Sequence, residues 1–253
     1  MSPYEILHFN SSIGEKKPKN ITNHNVKCPF CDRDNLENIL DERGPILLLK
    51  NKYPVLEDTL QTVIVETYRC TPEFSDYPKE HLYNVISFGI EKWLEMESSN
   101  EFSSVIYYKN HGPYSGGTIS HPHMQIIGLK NVDYHKHLQK EQFEGLIINK
   151  EQNVEFNIAT KPRAGFDEFN VILKDFNSIN KMADYIQIAT HYSLNHYHKH
   201  CNSYNLFFYH IDNKIAVKIV PRFVTSPLFV GFSIPQVSDN MERIALDIKN
   251  IYL

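Results

Sequence analysis

The densest chemistry in the chain lies between Asn110 and Gln125, which read Asn-His-Gly-Pro-Tyr-Ser-Gly-Gly-Thr-Ile-Ser-His-Pro-His-Met-Gln. Gly112, Gly116 and Gly117 let a backbone approach phosphate oxygens and turn N–H groups toward an anion. An extended segment starting at His121 puts His121, His123 and Gln125 on one face, with neighbours ~6.6 Å apart. At that spacing Gln125 can reach an oxygen on a phosphorus atom lying beside His123. Pro122 has no N–H for a ladder, so the strand is expected to begin irregularly or at an edge. A second pattern, Cys28-Pro-Phe-Cys31, fits half of a tetrahedral metal site or a redox pair.

The elements that must position these groups follow from apolar patterning. Ile46–Leu49, Gln61–Glu66, Ser103–Tyr108 and His123–Leu129 read as strands. Pro78–Glu97 reads as a helix, with Leu82, Val85, Ile86, Ile90, Trp93 and Leu94 at three- and four-residue intervals. The order then returns: strands at Val154–Ala159 and Glu168–Leu173, a helix over Ile179–Tyr197, and strands at Tyr204–Tyr209 and Ile215–Val220. The fold class expected is α+β, a duplicated unit with antiparallel sheet and flanking helices. A short helix is expected near residues 136–145, and a closing helix over Val237–Ile251 capped by Ser238 or Asp239. Residues 1–27 read as an extension leading into the fold, residues 28–135 as the first unit and residues 136–253 as a degenerate second.

With 42% hydrophobic and 22% charged residues, the 253-residue chain has an ordinary globular composition. Its net charge of −4 gives no basic surplus for nucleic acid. No apolar run reaches the ~18–20 residues of a membrane span, and the start lacks a signal-peptide core. A soluble, cytoplasmic protein is expected. Four cysteines are too few for a disulfide scaffold, which favours metal or redox chemistry for the CxxC pair.

The Asn110–Gln125 segment resembles the galactose-1-phosphate uridylyltransferase branch of the histidine-triad superfamily. That branch is marked by an asparagine, a small-residue loop and then His-Pro-His-x-Gln. Cys28-Pro-Phe-Cys31 resembles the family's amino-terminal Cys-Pro-x-Cys. Asn51-Lys-Tyr-Pro54 resembles its nucleoside-pocket element, and Val63–Thr67 a strand that leads there into Pro-Asp-His. Pro221-Arg222 and Phe229–Phe232 resemble the last strand and loop of its second copy.

The resemblance implies a structural zinc and a histidine nucleophile. In the family, the histidine of Pro-Asp-His and the first histidine of His-Pro-His complete the metal site; here Tyr68-Arg69-Cys70 stands in the Pro-Asp-His place. The ligand set implied is Cys28, Cys31, Cys70 and His121, with His81 as the alternative third ligand. Such a site is closed and would not activate water. His123 would attack the α-phosphorus of a nucleotide or nucleotide sugar, with Gln125 on a non-bridging oxygen, and a phosphorylated acceptor would then take the nucleotidyl group. Asn110, Gly116, Gly117 and Thr118 would line the phosphates, while Asn51 and Tyr53 would meet the nucleoside. Turn-forming roles are the plainer alternative for Thr118, Asn51 and Tyr53. Relatives form homodimers, so a homodimer is implied.

The chain departs from the family where a second histidine strand would lie, since Ala216–Val220 is apolar but for Lys218, and where Phe232-Ser233-Ile234 replaces a hexose-binding glutamate. A phosphorylase or hydrolase on the same scaffold is therefore an alternative, as is a non-catalytic nucleotide-binding protein. His191, His196, His198 and His200 suit a helix end better than a metal. Arg163 and Arg222 could meet a phosphate or a surface carboxylate, and Cys201 reads as a buried thiol.

Overall fold

Runs of buried aliphatic residues set the strands of this computed structural model, which describes residues 5–21, 23, 25 and 27–253. Two units separate in it. The first comprises Met1–Glu73, Asn84–Lys109 and Gly117–Leu138; the second comprises Phe74–Tyr83, Asn110–Gly116 and Gln139–Leu253.

In the first unit a short helix α1 (Ser11–Glu15) precedes strands β1 (Ile39–Arg43), β2 (Ile46–Lys50) and β3 (Thr59–Val65). Helix α2 (Lys79–Ser98) starts in the second unit and continues into the first, where β4 (Ser104–His111) and β5 (His123–Leu129) follow. The sheet is antiparallel in the order β1-β2-β3-β5-β4. Residues of α2 cover one face of it. Trp93 is fully buried and its indole N–H donates to the Val105 carbonyl at 2.9 Å. Gly89 sits where a Cβ would come within 2.0 Å of the Tyr107 hydroxyl, so the helix approaches the sheet closely there. The Tyr107 hydroxyl in turn meets the Met124 sulfur at 2.7 Å, which places the even-numbered residues of β5 on the helix side.

The odd residues of β5 face the other way. His123 pairs with Val65 and Gln125 with Val63, beside an apolar cluster of Leu47, Leu49, Val63 and Val65 edged by Phe30 and Leu36. The strand begins only at His123. Pro122 contributes its carbonyl to the Glu66 N–H at 3.1 Å, so the expected irregular start is met in the middle of the sheet rather than at an edge.

The second unit contains β6 (Gly145–Glu151), β7 (Val154–Ala159), β8 (Phe169–Leu173), helix α3 (Ile179–Tyr192), β9 (Tyr204–Ile211) and β10 (Lys214–Pro221), followed by α4 (Pro227–Phe232) and α5 (Met241–Tyr252). Its antiparallel order, β6-β7-β8-β10-β9, repeats that of the first unit strand for strand. The repeat is thus three strands, a helix and two strands, one strand longer than the patterning predicts. α3 buries Met182, Ala183, Tyr185, Ile186, Ala189 and Tyr192.

Three expectations are corrected. Residues 134–143 form two short 3₁₀ turns, Tyr134–His137 and Lys140–Phe143, in place of a helix, and β6 begins at Gly145. The helix expected to Tyr197 changes to a π-turn over Ser193–Tyr197. The closing helix starts at Met241 with Asn240 at its cap, so neither Ser238 nor Asp239 caps it. The N-terminal segment is woven into the first unit. Phe9 bridges to Leu56, the Asn10 N–H donates to Val55 at 2.8 Å, and the buried Asn20 carboxamide accepts the Ser120 N–H at 2.8 Å. Residues 1–4, 22, 24 and 26 of that segment lie outside the described residues. No helix among the described residues is long and apolar enough to cross a membrane.

Candidate active site and metal centre

Three separate stretches of the first unit converge on one point: the Cys28–Cys31 turn, the segment after β3, and the approach to β5. They bring together Cys28, Cys31, Cys70 and His121, whose ligand atoms all lie within 4.8 Å of one another. His121 Nδ1 is 3.4 Å from the Cys28 sulfur, 3.5 Å from that of Cys31 and 3.6 Å from that of Cys70. The Cys31 and Cys70 sulfurs are 3.4 Å apart. A tetrahedral ion at zinc bond lengths would need N–S edges of roughly 3.6 Å and S–S edges of roughly 3.8 Å, so the cluster is nearly at the size required. The donor set fits as well. The His121 ring is buried, and its Nε2–H donates to the Thr67 carbonyl at 2.9 Å, which fixes the tautomer and leaves the Nδ1 lone pair toward the thiols. Burial and the neighbouring thiols push Cys70 up to about 12, a repulsion that a bound cation would relieve. This Cys3His cluster is able to hold a metal ion. His81 is not part of it; it lies in the second unit with its ring 4.7 Å from that of Tyr77.

Two residues beyond His121, the His123 ring is held by backbone. Its Nδ1–H donates to the His121 carbonyl at 2.7 Å, and its Nε2 has no partner among the described residues. Burial, with Lys109 adding to it, brings His123 down to about 4, so the ring is a neutral imidazole at ordinary pH. The Phe30 ring, from the cysteine turn, lies 5.6 Å from the His123 ring and 5.8 Å from the His121 ring. Gln125, half-buried on the same face, makes no side-chain hydrogen bond among the described residues. Behind this strand, on its helix side, Lys109 and Glu66 form a buried ion pair at 2.6 Å.

The other expected residues are spread more widely. Thr118, in the first unit, accepts the Ile21 N–H on its carbonyl at 3.2 Å, and Gly117 adjoins it. Asn51 uses its side-chain oxygen to accept the Tyr53 N–H at 2.8 Å, a turn-forming role. Asn110 and Gly116 belong to the second unit. There Asn205 donates to the Asn110 side-chain oxygen at 2.6 Å and to the Ser115 carbonyl at 3.0 Å, while Arg222 donates to Asn205 at 3.1 Å. Gly116 has φ +84°, which glycine adopts without strain. The sequence gives no hint of Asn205 or of the Thr67 carbonyl. Asn205 sits in an ordinary strand pattern, and a backbone acceptor has no residue signature at all. His191 and His196 pack around Tyr252 and join no metal-ligating group among the described residues, and the Cys201 thiol is buried.

Family models for the amino- and carboxy-terminal domains of DUF4931, a domain of unknown function, match residues 9–132 and 135–253. The crystal structure of a DUF4931 family protein from Bacillus cereus is 47% identical over 84% of this chain and 98% of that one, with a TM-score of 0.78. The chain belongs to the DUF4931 family. Comparison with curated proteins gives no match. Among more distant structures, this DUF4931 chain is similar to an Arabidopsis thaliana ADP-glucose phosphorylase solved with bound ADP-glucose, at 13% identity, 95% and 94% coverage and a TM-score of 0.71. It is also similar to a uridylyltransferase, at 17% identity, 88% and 90% coverage and a TM-score of 0.68. Both likenesses are of fold: an antiparallel sheet with flanking helices is common to this chain and to those two structures.

Proposed function

We propose that this protein is a nucleotidyl-transferring enzyme that works through a covalent nucleotidyl-His123 intermediate, with a nucleotide or nucleotide sugar as donor and a phosphate-bearing acceptor. The observation that carries the reading is the state of His123. One ring nitrogen is committed to a backbone carbonyl, the other is left with a lone pair, and an unengaged carboxamide stands two residues along the same face. The Nε2 lone pair attacks the α-phosphorus and forms the N–P bond. The P–O bond to the rest of the donor breaks, and that fragment leaves with its electron pair. The ring is now cationic, and the Nδ1–H bond to the His121 carbonyl stabilises it. Gln125 donates to a non-bridging oxygen of the transferring group. An oxygen of the acceptor then attacks the same phosphorus, the N–P bond breaks, and neutral His123 is restored.

Zinc is the ion proposed for Cys28, Cys31, Cys70 and His121. With four protein ligands its contribution when bound is structural, fixing the chain just before His123. Orthophosphate and a sugar phosphate are both acceptors of the required chemistry, and the likeness to an ADP-glucose phosphorylase favours testing orthophosphate first. Asn51, Tyr53, Asn110, Gly116, Gly117 and Thr118 are proposed to contact the nucleotide, and a cytoplasmic homodimer completes the reading.

The deciding experiment incubates the protein with ADP-glucose and UDP-glucose labelled with ³²P at the α-phosphate and follows acid-labile, base-stable label on the chain. Label is expected on the parent and lost in His123→Ala. Label that persists in folded His123→Ala would remove the nucleophile, and no label on the parent from either donor would remove the intermediate for those donors.

A further inference from the structure

Arg33 lies two residues beyond the cysteine turn, and its guanidinium meets no carboxylate among the described residues. Asp32, its neighbour in sequence, is taken by the Asn35 carboxamide at 2.9 and 3.0 Å. Instead Arg33 Nη2 donates to two carbonyls, that of Pro45 at 2.8 Å and that of Thr67. Thr67 is the residue whose carbonyl also receives the Nε2–H of His121. The guanidinium carbon stands 4.8 Å from the centre of the Tyr68 ring, and Nε is buried without a hydrogen-bond partner. A half-buried cation with only neutral acceptors is an unbalanced charge. The balancing charge is at hand in the neighbouring cluster. A divalent ion held by three thiolates and one neutral imidazole carries one net negative charge.

We propose that Arg33 is a positioning residue of the metal centre, holding the Thr67 carbonyl that orients His121 and balancing the charge of the loaded Cys3His site. The inference rests on the reading of that cluster as a metal site. The shared acceptor is what separates it from an ordinary surface arginine. Arg33 polarises and places the same oxygen that sets the tautomer of the imidazole ligand, so its loss is felt at the ion without any ligand being changed. A lysine keeps the positive charge and can donate from one nitrogen, but it has no planar guanidinium to lie over the Tyr68 ring and so fix where that nitrogen stands.

The test compares the parent with Arg33→Gln and Arg33→Lys, each purified with zinc. It measures zinc affinity by competition with a chromogenic chelator, and the thiolate-to-metal charge-transfer band after cobalt substitution. Arg33→Gln is expected to bind zinc roughly tenfold to a hundredfold more weakly, as loss of an outer-sphere partner does, with a displaced cobalt band. Arg33→Lys is expected to fall between parent and Arg33→Gln. A folded Arg33→Gln with the parent's zinc affinity and cobalt spectrum would overturn the role. Should Arg33→Gln fail to fold in excess zinc, Arg33→Lys decides alone, and parent-like values for it would overturn the positioning. A parent that takes up neither zinc nor cobalt would instead overturn the metal reading itself, and the Arg33 role with it.

Discussion

At His123 two demands meet, that a ring nitrogen be unprotonated and that the ring not rotate. Burial answers the first and the His121 carbonyl the second. Gln125 carries less of the structure. Its carboxamide bonds nothing among the described residues, and its strand is held by backbone pairing to Val63 and Tyr108. Gln125→Ala is therefore expected to leave the melting temperature unchanged and to slow turnover by about 10²–10³-fold, the usual effect of removing one donor from a developing negative charge. Parallel thermal unfolding and steady-state kinetics with the donor that labels the parent would show the separation; a large loss of stability would mean that the side chain is structural.

At the scale of elements, each unit has a buried ion pair between a strand lysine and a glutamate that adjoins a strand end, Lys109 with Glu66 and Lys218 with Glu168. Glu168 also accepts the backbone N–H groups of Arg163, Ala164 and Gly165, and Lys218 also donates to Asn170 and to the Gln142 carbonyl. Removing the lysine strands a buried carboxylate, so Lys218→Met is expected to cost about 3–5 kcal/mol in denaturant unfolding; a cost below 1 kcal/mol would show that the carboxylate is readily neutralised. The apolar runs that form β2, β3, β5 and β7–β10, and the periodic face of α2, are legible in the sequence because both are buried. β1 and β6 are not. Each is an outer strand with mixed polarity, and each has a register shift, between Ile39 and Asp41 and between Ile147 and Asn149, that breaks the two-residue alternation. The same limit governs the site. Cysteine spacing and the His-Pro-His run announce themselves by residue type. The Thr67 carbonyl and the role of Arg33 depend on backbone that only the folded chain brings into place.

Across the whole molecule, the Cys3His cluster joins residues far apart in the chain; Cys31 and Cys70 are 39 positions apart, and Cys70 and His121 are 51. A cross-link closing loops of that length is worth on the order of 4 kcal/mol in chain entropy alone. Stripping the metal with a chelator is therefore expected to lower the first thermal transition by about 10 °C or more, and zinc to restore it. A melting curve indifferent to both treatments would mean that the ion does not brace the fold.

The two units wind their strands alike, but the places that match in them differ. β5 opens opposite Val65 with an imidazole, whereas the first residue of β10 to pair with β8 is Ile215, opposite Leu173. Under the proposed chemistry each chain then has a single seat for a travelling nucleotidyl group. It works as a turnstile: the spent part of the donor has to clear the passage before an acceptor is admitted, and a fragment that lingers holds up the next passenger.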